Sequence, residues 1–478
     1  TETPHPIDIR EVSMKMDVYP YQPDGAFRCS DDRLNRIWDI GAYTLRMSAL
    51  DHFVDCPWRE RTIYGGDVYA ENLIAHYAFG DPRLNRKTMR QMFAIQFPDG
   101  AIPPAGPYRG FRLFYPAWSA YLVLAYIDHY WLTADRALVD ELWPNVIRFM
   151  DWTEAQLRAD PKGLIGEPEK RFSHDEWMQA PKVSYSACPN FAAYAMLRRF
   201  AELAALLDRK KEAAHYDALA ESMAEALRKH LIDPATQYPR VLGPRGNKRH
   251  SAQYDGGMLL WSQMPDNVWG QGVARRCFHP DTSRISAPFH GLFVAEGLFA
   301  YGHDTLAVDF IRDYWGAMMD RGATTWWDNF SLDWPPQALA DRNTSLCHGW
   351  AAGPTYSLPA HVLGVRPIAP GFAQILIEPQ PADLQWAEGA VPTPHGPIRV
   401  HWTRNRAEFR IEVEIPKGCS AVMALPHRET GRAPHLLLDG AAVPPALWRN
   451  GRPALEIGEG LHHAAIQQTP AAGLSCST

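Results

Sequence analysis

Thirteen residues, Asp55-Cys-Pro-Trp-Arg-Glu60-Arg-Thr-Ile-Tyr-Gly-Gly-Asp67, hold three carboxylates, two arginines and two aromatic rings. Cleavage of a glycosidic bond commonly uses one carboxylic acid held protonated and one carboxylate on the opposite face of the sugar. Asp55 and Asp67 raise the proton affinity of Glu60 by like-charge repulsion, whereas Arg59 and Arg61 oppose this. Trp58 and Tyr64 add rings beside planar Asp and Arg partners, a combination suited to hydroxyl-rich ligands. Read without that chemistry, the same run is a solvated loop with a local ion pair, which contributes little to stability.

Three more clusters carry candidate chemistry. Ala323-Thr-Thr-Trp-Trp-Asp328-Asn-Phe sets Asp328 among Trp326, Trp327 and Phe330, where partial desolvation makes a carboxylate more basic. It opens a connector that ends at Cys347-His348-Gly349-Trp350. His174-Asp-Glu-Trp177 and Pro116-Ala-Trp118 lie in or after other Gly- and Pro-rich connectors. Each, taken alone, also reads as structural: a capping Asp, core tryptophans, a satisfied histidine. Gly65 and Gly66 permit a turn or close backbone approach, and Asp67 is placed to cap a following helix.

These groups need elements to hold them. Helical spacing runs over 69–78, 82–97, 117–133, 137–157, 190–207, 211–231, 291–301 and 305–321, with 256–263, 266–275 and 349–363 bringing the count near a dozen. Ser30 is placed as the N-cap of a first helix carrying Leu34, Ile37, Trp38 and Leu45 on one face. Between helices lie the long connectors 99–115, 161–181 and 324–347, and connectors of this length in a compact domain are usually functional. After Pro367 the period changes to two, as in Phe409, Ile411, Val413 and Ile415, predicting antiparallel strands of a small sandwich. The expected layout is an extended segment 1–29, a helical domain 30–365 and a β domain 366–478.

Composition excludes other classes. The 478 residues carry 48 basic and 54 acidic side chains, a net charge of −6 that offers no field for a phosphate backbone and disfavours nucleic acid. The longest apolar run, 121–127, is far short of the ~20 residues that span a bilayer. Residues 1–6 lack the basic start and apolar stretch of a signal peptide, so a soluble protein of the cytoplasm, or of the periplasm if bacterial, is expected, with the compartment open. Seven scattered cysteines without a CxxC pair argue for reduced core residues, with no metal site and no cofactor. No GxSxG, HExxH, GxxxxGK[ST] or strand-linked GxGxxG occurs. The 55 aromatic residues, 17 of them Trp, remain to be explained as core volume or as faces for a flat ligand such as a sugar.

The run from Asp55 resembles the signature of the inverting α-L-rhamnosidases of glycoside hydrolase family 78. Asp55, Cys56, Pro57, Arg59, Glu60, Arg61, Gly66 and Asp67 match it, and similarity continues through 99–103, Trp118, Trp177, 324–328, His348, 370–372 and 393–402. The resemblance implies an (α/α)6 barrel followed by a C-terminal antiparallel β-sandwich, acting on terminal α-L-rhamnosyl residues of a glycoside or polysaccharide. By resemblance, Glu60 is the general acid and Asp328 the general base. Asp55, Arg59, Asp67 and His348 contact the sugar, and Tyr64, Trp118, Trp177 and Trp327 wall it. Two residues depart from the pattern: Asp328 stands where the family usually has Glu, and Ile63-Tyr64 replaces Gly-Trp. Rivals are a sugar-binding protein weakened in catalysis, a glycosidase for a related sugar, and a lyase of the same fold.

Overall fold

The structure, a computed structural model, describes residues 8–107, 115–166, 185–243, 246–248, 252–335, 337–338, 344–427 and 435–467. Eleven α-helices follow in order: α1 Asp32–Ser48, α2 Gly65–Phe79, α3 Arg83–Ala94, α4 Pro116–Thr133, α5 Arg136–Ala159, α6 Ala187–Leu206, α7 Lys210–His230, α8 Gln253–Trp261, α9 Asn267–Cys277, α10 Pro288–Ala300 and α11 Asp304–Asp320. A last helical stretch, α12, joins a 3-10 turn Gly349–Ala352, an α turn Pro354–Ser357 and a π turn Leu358–Val362.

The even-numbered helices form a closed inner ring. α2 packs on α4, α4 on α6, α6 on α8, α8 on α10, α10 on α12, and α12 returns to α2. Their composition explains the position: every residue of α2 is buried, and α4 and α10 are apolar nearly all round, as helices enclosed by a second layer must be. The odd-numbered helices bury one stripe only, as in α3, where Leu84, Thr88, Met89, Met92 and Phe93 face inward. Ring closure, which helical spacing does not encode, is thus an observed feature of an (α/α)6 barrel.

Direction in the ring positions the site. The chain leaves inner helices through short links, 80–82, 134–135, 207–209, 262–266 and 301–303, and enters them through long ones, 49–64, 95–115, 160–186, 231–252, 278–287 and 321–348. The long connectors therefore all join the inner helices at the end where those six helices begin. Their N-terminal N–H groups give that end positive partial charge, favourable to carboxylates.

Two helix starts differ from the sequence-based expectation. Asp31, not Ser30, caps α1: its carboxylate accepts from Arg33 N at 2.8 Å and Leu34 N at 3.3 Å. Ser30 Oγ instead accepts from Gln385 N at 2.9 Å, tying the helix start to the β domain. α2 begins at Gly65, so Asp67 lies within its first turn, and the preceding Tyr64 makes no side-chain cap.

The β domain stacks a seven-stranded sheet on a five-stranded one. Glu408–Ile415 alternates buried Phe409, Ile411, Val413 and Ile415 with polar residues, as a half-buried strand requires. The sheets are antiparallel except that Ser420–Ala424 and Gln374–Ile377 pair in parallel. The first strand, Ala26–Cys29, pairs with Trp386–Val391 and so forms the edge of the larger C-terminal sheet. Trp402 Nε1 donates to Val362 O at 2.9 Å and Tyr77 OH to Val365 O at 2.9 Å, locking the sandwich against the barrel.

Candidate active site

The segment before α2, the start of α2 and the segment before α12 converge. Arg59 stands at the junction: its Nε donates to Glu60 Oε2 at 2.8 Å and its Nη2 to Asp328 Oδ2 at 3.1 Å. One planar guanidinium therefore spans two carboxylates that come from segments 268 positions apart in the chain. Asp55 is held by Thr62 N–H on Oδ1 at 2.9 Å, and Cys56 Sγ lies 3.0 Å from Asp55 Oδ2 and 3.1 Å from Glu60 Oε2. Two backbone bonds set the third segment: Asp328 N donates to Ser345 O, and Gly349 N to Asp55 O, both at 2.9 Å.

His348 precedes the first turn of α12 and sits among three acids. Its Nδ1 is 3.4 Å from Asp67 Oδ1, and its Nε2 is 3.7 Å from Asp328 Oδ1 and 3.9 Å from Asp55 Oδ2. The imidazole stacks on Trp350 at 4.4 Å, and Trp350 stacks in turn on Phe289 at 4.8 Å. Trp118, 7 % exposed, lies 6.1 Å from Phe289 on the adjoining side. Gly65 and Gly66 make this approach possible: a Cβ on Gly65 would stand 2.4 Å from the Trp118 carbonyl oxygen, and one on Gly66 3.0 Å from its indole.

Burial dominates the proton affinities. It pushes Asp328 up to about 7, Arg59 opposing and Glu60 and Asp55 adding, and it pushes Asp55 up to about 6. Burial, with Asp55 and Asp328 adding, also drives Asp67 well above the carboxylate range, and burial, with Asp67 and Asp55 adding, does the same to Glu71 one turn further along α2. Burial lowers His348 to about 3, leaving a neutral ring. In Glu60, desolvation is outweighed by the hydrogen bond from Arg59, with Cys56 and Asp55 assisting, and the carboxyl is held at about 2. Between about pH 2 and about pH 7 the site thus keeps its charge on Glu60 and its proton on Asp328. Asp55, Cys56 and Glu60 bring ligand-type atoms within 4.8 Å of one another, and burial pushes the Cys56 thiol up to about 12.

The structure brings Asp55, Arg59, Glu60, Asp67, Asp328 and His348 into this cluster. Tyr64 is half-buried immediately before α2, and Trp327, 5 % exposed, packs edge-on to Phe330. Trp177 lies outside the described residues. Trp326 is fully buried core, and Trp58 is 61 % exposed at the rim with its Nε1 on Ser345 Oγ at 3.1 Å. Sequence reasoning passed over Cys56 as a hydrogen-bonding partner, Phe289, and Glu71, whose two carboxyl oxygens have no hydrogen-bond partner among the described residues. The signal for Glu71 was its place one turn after Asp67 on a helix that is otherwise largely apolar.

An (α/α)6 barrel with paired carboxylates, a bridging arginine and stacked aromatics at the N-terminal ends of its inner helices has the six-hairpin glycosidase fold. Residues 22–362 match the bacterial alpha-L-rhamnosidase six-hairpin glycosidase domain, and residues 364–435 match the bacterial alpha-L-rhamnosidase C-terminal domain. The chain belongs to the bacterial alpha-L-rhamnosidase six-hairpin glycosidase domain family. An alpha-L-rhamnosidase of Alteromonas sp. (strain LOR) is 24% identical over 423 residues, which cover 84% of this chain and 44% of that protein. Among solved structures, the glycoside hydrolase family 78 rhamnosidase of Bacillus sp. GL1 is 28% identical with a TM-score of 0.73, covering 81% of this chain and 41% of that one. The Streptomyces avermitilis alpha-L-rhamnosidase complexed with L-rhamnose superposes with a TM-score of 0.74 at 18% identity, covering 93% and 42% respectively. The chain spans less than half the length of these relatives.

Proposed function

We propose that the protein hydrolyses terminal α-L-rhamnosyl bonds with inversion, using Glu60 and Asp328. The observation that carries this reading is the Arg59 guanidinium held between those two carboxylates in a pocket lined by Asp55, Asp67, His348 and Trp118. Once the single proton of the pair stands on Glu60, the ionised Asp328 takes a proton from water, the water oxygen bonds to the anomeric carbon, the bond to the leaving oxygen breaks, and Glu60 gives its proton to that oxygen. Substrate hydroxyls that draw Arg59 away from Glu60 raise the proton affinity of Glu60, since its desolvation is then unopposed.

The test is hydrolysis of p-nitrophenyl α-L-rhamnopyranoside followed by proton NMR. β-L-Rhamnose appears first if the scheme holds, and initial release of the α-anomer would sink it. The tight Arg59–Glu60 bond favours one second reading, a rhamnose-binding protein with little turnover; binding without hydrolysis in the same assay selects it.

A further inference from the structure

At the opposite end of the barrel, where the inner helices finish, a cavity of about 630 Å³ opens. It lies within the size range of small-molecule sites and shares no lining residue with the Glu60–Asp328 cluster. Its aromatic walls come from different inner helices. Tyr69 and Trp261 meet edge-on at 5.9 Å, with Trp261 Nε1 donating to Tyr69 OH at 3.2 Å, and Tyr77 meets Tyr356 edge-on at 4.8 Å.

Charged groups alternate with the rings, Arg198, Arg199 and Arg366 against Asp128, Glu202 and Glu296, three of each sign. Arg199 binds Asp128 through both Nη atoms, with Nη1 3.2 Å from Oδ2. Glu296 accepts from Ser357 Oγ at 2.6 Å and meets His361 Nε2 at 2.9 Å; Arg366 Nη2 donates to Glu378 Oε2 at 2.5 Å. The charges are therefore balanced before any ligand enters, while the six helix C-termini add negative partial charge that repels anions. A guanidinium has five N–H donors and a carboxylate about four acceptor positions, so these paired groups retain capacity for further hydrogen bonds. The Arg199 side chain keeps 31% of its surface accessible although it stands deep in the barrel end, which places that surface on the cavity.

We infer that this cavity is a second binding site, for a neutral saccharide of one or two rings. Balanced Arg and carboxylate pairs with flat aromatic faces suit a ligand that has many hydroxyls, apolar C–H faces and no net charge.

The test is calorimetric titration with L-rhamnose, D-glucose and sucrose, read as stoichiometry. At least one of them binds in a second equivalent beyond any held at the Glu60–Asp328 end. Ala300→Trp, at an exposed rim position, fills the mouth, and Trp131→Ala removes a half-buried wall. Each weakens the second equivalent tenfold or more and leaves any rhamnoside hydrolysis unchanged, Ala300→Trp at its exposed position also leaves the melting curve unchanged, and Asp55→Asn removes the first equivalent alone. No sugar binding in an equivalent that survives Asp55→Asn, or such an equivalent that also survives both cavity variants, overturns the inference. Because the readout is stoichiometry, absence of rhamnoside hydrolysis leaves the result interpretable.

Discussion

Glu60 and Asp328 share one guanidinium but differ in environment, and the difference is measurable. From about pH 2 to about pH 7 the pair holds a single proton, whichever carboxyl carries it. Hydrolysis needs that proton, so kcat/KM is expected to fall as pH rises through about 7, measured as a pH–rate profile. Removing either group, by Glu60→Gln or Asp328→Asn, is expected to cost about 10²- to 10⁴-fold in kcat; full activity in Glu60→Gln removes the acid assigned here. The same titration bears on stability. Asp328 has its affinity raised on folding, so its contribution is complete at low pH and is lost as pH rises through about 7. Asp328→Asn keeps an acceptor for Arg59 without the charge, and is expected to gain roughly 4 kcal/mol over wild type at pH 8 and nothing at pH 4, by denaturant midpoint. An equal midpoint difference at both pH values contradicts the burial assigned to Asp328.

At this scale the sequence was informative where chemistry is concentrated. The run from Asp55 to Asp67 packs enough charge and glycine into thirteen residues to stand out, and its members meet. Proton affinities were not legible, because they depend on whether Arg59 reaches Glu60 or only Asp328. Glu71 and Phe289 were passed over because an acid or a ring in a largely apolar helix acquires meaning only from the helices that face it.

At the scale of elements, helix identity was readable and helix starts less so. Spacing over 117–133 and 305–321 agrees with α4 and α11 to within a residue at each end. Ser30 and Asp67 were misplaced as caps because Ser30–Asp31–Asp32 offers three capping side chains in succession, and because Gly65 and Gly66 are poor helix formers that nonetheless begin α2. Those glycines are kept by contact with α4. Gly65→Ala is expected to force α2 from α4 at the Trp118 carbonyl, costing about 1–3 kcal/mol and lowering kcat/KM, measured by thermal melting and initial rates. A stable, fully active variant shows that the two helix starts tolerate separation.

At the scale of the molecule, the barrel and sandwich are joined by buried polar contacts as well as by packing. Arg366, just past α12, links His361 of the barrel to Glu378 of the β domain. Arg366→Met leaves Glu378, 5 % exposed, without its cation, and is expected to cost about 3–5 kcal/mol by chemical denaturation. The change of period after Pro367 marked the transition between the two architectures, whereas the place of residues 26–29 in the far sheet was invisible: a four-residue strand does not name its partner.

That strand has a consequence for how the molecule comes apart. Since Ala26–Cys29 pairs with Trp386–Val391, the whole helical barrel is, in chain order, an insertion between two neighbouring strands of one sheet. Peeling the sandwich away frees both boundaries of the barrel at once, and melting the barrel leaves the first strand tethered to its sheet only by its own ladder. The two architectures are thus expected to unfold in one calorimetric transition, and a nick between Cys29 and α1 to leave the two pieces associated.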